Sequence, residues 1–159
     1  MPTLAPATLY PGTCLIEGTN LSIGRGTTLP FEIVGAPWID ARALADAMNA
    51  LKLDGVRFRP MSFVPSADKF ANEYCFGVQI HVIDRNAVRP VIMTLHLIQT
   101  IQRMYPGNFN WITASFNLLM GDTSVIDKIS NASITNIVAG WSNAQAEFNR
   151  AREKYLIYN

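Results

Sequence analysis

The chain has 159 residues, of which 49% are hydrophobic and 16% charged; this balance excludes an intrinsically disordered chain and suits one domain with an apolar core. The net charge is +1, from 13 basic and 12 acidic residues without a run of one sign, so the basic stripe typical of nucleic-acid-binding proteins is missing. The apolar runs are shorter than the roughly 20 residues that span a bilayer, and the first residues lack the basic and apolar regions of a signal peptide. We therefore expect neither a nucleic-acid partner nor a membrane span.

The first thirty residues, rich in Gly, Thr and Pro, predict a shaped loop, because glycine allows positive φ and close backbone approach. Within this loop, residues 14–16 are apolar and compatible with one buried strand. Residues 31–35 predict a strand that Ala36 and Pro37 close. Asp40 is suited to cap the helix that follows, in which we expect a buried stripe of Leu44, Met48 and Leu51.

Two later segments, residues 56–60 and 78–82, alternate in the manner of strands. In the second, a period of two places Gln79 and His81 on the face opposite the apolar side chains. These strands and the helices around them predict an α/β or α+β class, with a single compact domain over residues 1–159 and a mixed sheet flanked by helices. The strand order stays open.

Helical patterns occupy much of the second half. Pro90 suits the first turn of a heavily buried helix, which Pro106 and Gly107 end. A final amphipathic helix is predicted to end near Tyr155. Its apolar positions are Ile134, Ile137, Val138, Trp141 and Phe148.

The densest polar segment is residues 17–27, where Glu17, Asn20, Ser22 and Arg25 stand among glycines. A carboxylate, an amide, hydroxyl groups and a guanidinium occur there, where the backbone can come close to a ligand. The alternative is a tight turn whose Asn and Thr side chains bond their own backbone.

A second group of polar residues follows the strands. Gln79 and His81 could line a cleft, or His81 could be an ordinary solvent-facing histidine. Arg57 and Arg59 share one strand face, where their guanidinium groups could clamp an anion in bidentate fashion. The alternative for these arginines is structural ion pairs with Asp54 or Glu73, and Lys69 has the same two interpretations.

The sequence lacks nucleophile and metal motifs. No serine stands in G-x-S-x-G, and neither Cys14 nor Cys75 has a catalytic motif around it. The two histidines, His81 and His96, are fifteen residues apart, and no H-E-x-x-H occurs. We predict neither a metal nor another cofactor.

Residues 10–27, with the sequence YPGTCLIEGTNLSIGRGT, resemble a signature of the DUF1343 family. The likeness continues through PFEIVGAPWI at residues 30–39, VRFRP at 56–60 and CFGVQIHVIDR at 75–85, and it includes Arg152 and the YLIY of residues 155–158. These separated blocks, in the same order, cover nearly the whole chain. One departure is Asn72, at a position where the family pattern leads us to expect Gly.

The family includes the exo-β-N-acetylmuramidases called NamZ, and the resemblance implies hydrolysis of terminal N-acetylmuramic acid from peptidoglycan fragments. In the family a Rossmann-like domain precedes this one, and the active site is thought to lie in the cleft between the two. Residues 1–3 resemble part of the segment that joins the halves. We therefore expect a carboxy-terminal half that begins at an internal Met and lacks the amino-terminal domain.

The resemblance also implies roles for the polar residues. Glu17 is expected to face the cleft, as a catalytic partner or by orienting the sugar, since glycoside hydrolysis usually needs two carboxyl groups. The substrate's lactyl ether carries a carboxylate, for which Arg25, Lys69 or Arg57 would supply the cation. The predicted substrate-binding residues are Asn20, Ser22, Arg25, Arg57, Lys69, Gln79 and His81.

Two other functions stay open. The domain could be a non-catalytic carbohydrate-binding or interdomain scaffold module, in which the glycine-rich loop is structural. The third hypothesis is a self-sufficient small hydrolase that uses Cys14 or Cys75 with His81. By itself the chain is expected to be catalytically silent and to self-associate through the apolar face that a partner domain would cover. The sequence does not indicate where the bacterial parent protein resides, and a periplasmic or secreted parent is compatible with it.

Overall fold

The computed structural model describes residues 3–158, which fall into a larger unit that ends at Thr123 and a smaller one that begins at Ser124. Met1 and Pro2 of the predicted junction segment lie outside the described residues. In chain order, the larger unit contains α1 (Leu4–Thr13), a 3₁₀ turn (Cys14–Gly18), β1 (Ile33–Ala36), α2 (Ala41–Ala50), β2 (Val56–Phe63), β3 (Cys75–Val82), α3 (Pro90–Met104) and α4 (Thr113–Met120). The predicted mixture of helices and strands is confirmed.

The three described strands form one antiparallel sheet in the order β1-β3-β2. The predicted mixed sheet is therefore antiparallel in its described strands, and the order that the sequence left open places β3 in the centre. Residues directly opposite each other in such pairs share a face of the sheet. The register sets Arg57 opposite His81 and Arg59 opposite Gln79, so these four side chains share one face.

The other face of the sheet carries buried apolar residues of β2 and β3, among them Phe58 and Ile80, and α2 packs against these two strands. Asp40 caps α2 as predicted, because its carboxylate accepts a hydrogen bond of 3.0 Å from the N–H of Ala43. Within the predicted stripe, Leu44 and Met48 are fully buried. The prediction for Leu51 was wrong: it follows the last residue of the helix and is 43% exposed.

The helix α1 replaces the loop that the sequence predicted for this region. Leu9 is fully buried, and Gly12 lies so close to the start of α3 that a Cβ atom there would be 2.0 Å from the carbonyl oxygen of Pro90. Packing against α3 therefore stabilises this helix, although Pro11 and Gly12 are poor helix formers. The prediction of a strand at residues 14–16 was also wrong, since they lie in the 3₁₀ turn.

The helix α3 has Pro90 at its start, as predicted, and runs for 15 residues. Across the portion of the chain that the structure describes, no helix combines the length and the apolar character that crossing a membrane requires.

The smaller unit contains α5 (Val125–Asn131), α6 (Ile134–Ala139), α7 (Ser142–Arg152) and a 3₁₀ turn (Glu153–Tyr155). The sequence predicted one continuous final helix from Ile134, which was wrong. Ser133 caps α6, and the N–H of Gly140 closes its last turn on carbonyl groups of α6. The chain therefore begins a new helix at Ser142, and Phe148 of α7, expected on the apolar side, is 64% exposed.

Candidate functional site

Glu17 lies at the end of the 3₁₀ turn, where tight packing fixes the backbone. A Cβ atom on Gly18 would be 2.5 Å from the Cα of Phe116 in α4, so only glycine fits between the turn and this helix. The hydroxyl of the buried Thr19 donates to the carbonyl of Ile16 at 2.8 Å. These contacts hold the backbone on both sides of Glu17, whose side chain is 29% exposed.

Arg25 forms an ion pair with Glu17, eight residues earlier in the chain. Its Nε donates to Glu17 Oε1 at 2.7 Å, and a terminal guanidinium nitrogen contacts the same oxygen. The same Nε is 3.9 Å from Oδ2 of Asp68, and the Arg25 side chain is 48% exposed. The hydrogen bonds to Glu17 raise the pKa of the Arg25 guanidinium. Glu17 and Arg25 are called the loop pair below. Glu17 neutralises the positive charge of Arg25, and Asp68 adds a second carboxylate near the guanidinium.

Two aromatic rings lie beside the loop pair. The Cζ atom of Arg25 is 5.0 Å from the centre of the Phe31 ring, a distance typical of cation–π contacts. Tyr10 of α1 meets the same ring edge-on, with 4.9 Å between the ring centres. Phe31 has φ of 67°, which bulky residues rarely adopt. The backbone therefore accepts strain at the residue whose ring supports the guanidinium.

Two loops meet at the loop pair: the first, residues 19–32, connects the 3₁₀ turn to β1, and the second, residues 65–72, is held to the first loop and the turn by hydrogen bonds. The Nζ atom of Lys69 donates to the carbonyl of Glu17 at 3.2 Å and to that of Thr19. The N–H and the hydroxyl of Ser66 both donate to the carbonyl of Gly26 at 2.9 Å. Burial lowers the pKa of the Lys69 ammonium group. Lys69 therefore supplies hydrogen bonds to the backbone carbonyl groups of Glu17 and Thr19.

The second loop has an unusual backbone. Asp68, Phe70 and Asn72 have φ of 68°, 59° and 65°, values that favour glycine and that Asn and Asp tolerate best among other residues. Asn72 stands where the family pattern led us to expect Gly. Both residues suit this left-handed conformation, so the departure is compatible with the loop shape.

Asn20 and Ser22 have protein partners of their own. The Asn20 amide donates to the carbonyl of Asn108 at 2.8 Å and accepts from the N–H of Asn110 at 2.9 Å. Ser22 is buried, and its hydroxyl accepts a hydrogen bond of 3.3 Å from the N–H of Gly24. Their substrate-binding role stays a prediction, and the contacts fit the alternative in which polar side chains shape the loop.

The four polar side chains on β2 and β3 form a second group. Arg59 donates to the amide oxygen of Gln79 at 2.6 Å, and Arg57 donates to the backbone carbonyl of Val56 at 2.8 Å. Arg57, Arg59 and His81 are exposed, whereas Gln79 is buried. This set is called the strand group below: Arg57, Arg59, Gln79 and His81.

The strand group carries positive charge without a nearby carboxylate. Among residues 3–158, no carboxylate oxygen lies within 4.0 Å of a guanidinium nitrogen of Arg57 or Arg59. The alternative interpretation, ion pairs from these arginines to Asp54 or Glu73, is therefore wrong. The sequence indicated both Arg57 and Arg59 as a possible anion clamp, but the predicted substrate-binding residues included Arg57 alone.

The loop pair and the strand group lie near each other. The backbone of Gly24, next to Arg25, is so close to Ile33 that a Cβ atom there would be 2.5 Å from its Cγ1. Ile33 in turn stands opposite Gln79 in the sheet. Beyond Ile33, Leu29 and Phe70 of the two loops pack against a buried cluster of Ile33, Phe63 and Cys75. The loops therefore cover one end of this sheet face, and the strand group occupies the other.

The two cysteines lack the properties of nucleophiles. Burial raises the pKa of the Cys75 thiol to about 11 and also raises the pKa of the Cys14 thiol, whereas a nucleophilic cysteine needs a lowered pKa. Burial lowers the pKa of His96 in α3. No group of three or more His, Cys, Asp or Glu that could hold a metal ion occurs in the described range.

Comparison with known proteins decides the family. A family profile described as "Exo-beta-N-acetylmuramidase NamZ, C-terminal" matches residues 8–158. The chain belongs to this family. The NamZ C-terminal family is the one that the sequence blocks resembled, so the resemblance is confirmed.

Named relatives agree with this membership. The chain is 44% identical over 160 aligned residues to the peptidoglycan β-N-acetylmuramidase NamZ of Bacillus subtilis. Crystal structures of two DUF1343 family proteins from Bacteroides fragilis are similar to it, with TM-scores of 0.87 and 0.71 at 28% and 26% identity. The alignments cover 99%, 96% and 99% of this chain, respectively. The chain spans 39% of the B. subtilis relative and 42% of each B. fragilis protein.

Proposed function

We propose that this domain forms one wall of the sugar-binding cleft of an exo-β-N-acetylmuramidase that acts on peptidoglycan fragments. The name of the B. subtilis relative supports this substrate class. The observation that carries the proposal is the exposed loop pair: Glu17 and Arg25 hydrogen-bond each other beside Phe31 and Tyr10. Such a pair presents a carboxylate and a guanidinium beside the exposed ring of Tyr10, with the buried Phe31 beneath the guanidinium, and both kinds of group suit a hydroxyl-rich, uncharged part of a sugar.

The loop pair keeps hydrogen-bonding capacity for a ligand. Both bonds from Arg25 go to Oε1 of Glu17, and Oε2 accepts none from the side chains and backbone of residues 3–158. An ionised carboxylate oxygen can accept more than one hydrogen bond. Glu17 could therefore bind a sugar hydroxyl without giving up Arg25.

Glu17 is our candidate for the catalytic role of this wall. Glycosidases of most families place two carboxyl groups beside the scissile bond. In our proposal Glu17 acts as one partner or orients the sugar, and the principal acid belongs to the part of a NamZ protein that this chain does not span. That other part is also the proposed partner of this domain, which by itself is expected to be inactive.

The second candidate is a non-catalytic carbohydrate-binding or interdomain scaffold module. The internal partners of Lys69, Asn20 and Ser22 favour it, because side chains that satisfy backbone groups within the domain serve its shape first. In that case the loops are a rigid support, and muramyl sugars bind weakly or not at all.

Titration of the chain with N-acetylmuramic acid, followed by NMR chemical shifts, tests the proposal. We expect the largest shifts around Glu17 and Arg25, and roughly tenfold weaker binding for Glu17→Gln or Arg25→Ala, since each loses a charge-assisted hydrogen bond. The exposed Glu147→Gln is the matched control and should bind like the unaltered chain. Binding that both loop-pair variants leave unchanged would refute the site, whereas no binding by the unaltered chain would favour the scaffold.

A longer NamZ protein that carries this domain tests the catalytic part. We expect Glu17→Gln to lower its hydrolysis of a chromogenic β-N-acetylmuramide, with Glu147→Gln as control. If activity is unchanged while sugar binding by the domain falls, Glu17 orients the sugar and takes no part in the chemistry.

A further inference from the structure

The structure separates the cations that could meet a ligand carboxylate into two kinds. The Lys69 ammonium group is directed to two backbone carbonyl oxygens, and Arg25 stands between the carboxylates of Glu17 and Asp68. An incoming carboxylate at Arg25 would meet negative charge already in place, and like charges repel. Neither cation is suited to bind a further anion.

Arg57 and Arg59 are different, because no carboxylate oxygen of residues 3–158 lies within 4.0 Å of either guanidinium group. They are two residues apart on β2, and this spacing puts both guanidinium groups on one face of the strand. His81 stands opposite Arg57 on the adjacent strand. Two like charges at this spacing repel each other, and an anion bound between them would relieve that repulsion.

The guanidinium groups are also held in place before a ligand arrives. The buried Gln79 accepts a hydrogen bond of 2.6 Å from Arg59, and the carbonyl of Val56 accepts one of 2.8 Å from Arg57. Each guanidinium has five N–H donors, so most donors stay available. Planar donors fixed on the strands of a sheet suit bidentate contact with a planar carboxylate.

We propose that Arg57 and Arg59, with His81 beside them, form a carboxylate-binding subsite that selects an acidic sugar over its neutral counterpart. The inference rests on the proposed function, since the acidic sugar it names is N-acetylmuramic acid, whose lactyl group carries the carboxylate. N-acetylglucosamine has the same ring without that group. Arg59 is thereby a specificity-determining residue, and Arg25 contributes to sugar binding without distinguishing the two sugars.

Packing contacts link the backbone of the loop pair to the subsite. Arg25 follows Gly24, Gly24 packs on the buried Ile33, and Ile33 stands opposite Gln79, which holds Arg59.

The test titrates the chain with N-acetylmuramic acid, N-acetylglucosamine and sodium D-lactate, the last being the carboxylate fragment alone. We expect the doubly substituted Arg57→Gln/Arg59→Gln chain to lose roughly tenfold or more of its preference for the acidic sugar, with its affinity for the neutral sugar unchanged. Arg25→Gln should weaken both sugars equally. Arg85→Gln/Arg103→Gln removes two exposed arginines outside the strand group and is the charge-matched control. Thermal melts of each variant confirm that it is folded.

The outcomes separate this inference from the proposed function. If the double variant keeps the full preference for the acidic sugar, the subsite is refuted and the sugar-binding proposal stands. If neither sugar binds but D-lactate shifts the resonances of Arg57 and Arg59, a carboxylate site stands there, and both the sugar-binding proposal and the selection between sugars fall. If none of the three compounds binds the unaltered chain, both are refuted.

Discussion

The loop pair lies in the 3₁₀ turn and the loop before β1, the strand group lies on β2 and β3, and the two differ in how their charges are compensated. Arg25 stands between two carboxylates on strained loops, whereas Arg57 and Arg59 stand on regular strands without a described carboxylate near them. An ion-paired cation contributes modestly to the stability of its surroundings, whereas an exposed cation without an ion pair keeps its charge for an incoming anion. Whether an arginine can bind an anion therefore depends on whether it is already ion-paired, more than on how many arginines lie near the site.

The largest expected change in the free energy of unfolding comes from a substitution that forces the two loops apart. Gly26→Ala places a Cβ atom 2.4 Å from the backbone nitrogen of Ala67, at a residue with φ of +78°. We expect the free energy of unfolding to fall by about 3 kcal/mol, from steric overlap and left-handed strain together. Chemical denaturation measures the loss. The matched control is Gly107→Ala, where a Cβ atom meets nothing within 4 Å, and a similar loss in both variants would show that the loop contact is unimportant.

The thiol of Cys75 reports whether the loops cover the sheet face. Its pKa of about 11, raised by burial from 9.0, predicts about a hundredfold less thiolate at pH 8 than in the unfolded chain. In a Cys14→Ser background, we expect slow alkylation by iodoacetamide, and faster alkylation when Gly26→Ala is added. Rapid alkylation of the unaltered loops would contradict the packing of Leu29 and Phe70.

The same thiol gives the stability a pH dependence of known sign. The folded chain retains the Cys75 proton above pH 9, where an unfolded thiol loses it, so the contribution to stability is present below pH 9 and is lost as pH rises through about 11. Denaturation midpoints across this range should decline less in Cys75→Ala.

A smaller effect is expected at the base of the loop pair. Lys69→Met removes the donor to the carbonyl groups of Glu17 and Thr19, and we expect a loss of about 2 kcal/mol, because two partly buried acceptors lose a partner. The exposed Lys52→Met is the control and should stay within about 0.5 kcal/mol of the unaltered chain. Equal effects of the two substitutions on unfolding would mean that Lys69 does not support the turn.

The smallest effect tests the comparison most directly. At low salt, Arg25→Gln should cost about 1 kcal/mol because its ion pair is lost, whereas Arg57→Gln, which breaks no ion pair and no bond to another side chain, should be within about 0.5 kcal/mol of the unaltered chain. High salt should shrink the difference, since exposed charges are screened. Melting temperatures at two salt concentrations measure both, and an equal loss for the two arginines would contradict the contrast in charge compensation.

The sequence predicted those parts of the fold that local pattern determines. The Asp40 cap, a strand at residues 78–82 and the Pro90 start of α3 depend on residues close together in the chain, and the structure confirms each. The alternation of burial expected along β3 fails at Gln79, which is buried like its neighbours Val78 and Ile80. The helix α1 was missed because it is stabilised by contact with α3, about eighty residues away. A continuous last helix was predicted because its apolar spacing outweighed Gly140.

The candidate site also contains both kinds of feature, those that local sequence predicts and those that depend on tertiary contacts. Glu17 and Arg25 are eight residues apart within one glycine-rich segment, so their proximity could be expected. The approach of Asp68 and Lys69 from a distant loop depends on tertiary structure, and the pairing of Arg59 with Gln79 depends on strand register. Neither register nor loop packing can be derived from composition or periodicity.

The left-handed residues of the two loops affect how sequence variation in this family should be interpreted. At Asp68 and Asn72 the backbone admits little besides Gly, Asn and Asp without added strain. Related proteins that keep the loop shape should therefore draw on a narrow set of residues at these positions, whether or not either side chain ever touches a sugar. Invariance there would report the geometry of the main chain, whereas invariance at Arg57 and Arg59, on ordinary extended backbone, would report selection for what their side chains bind.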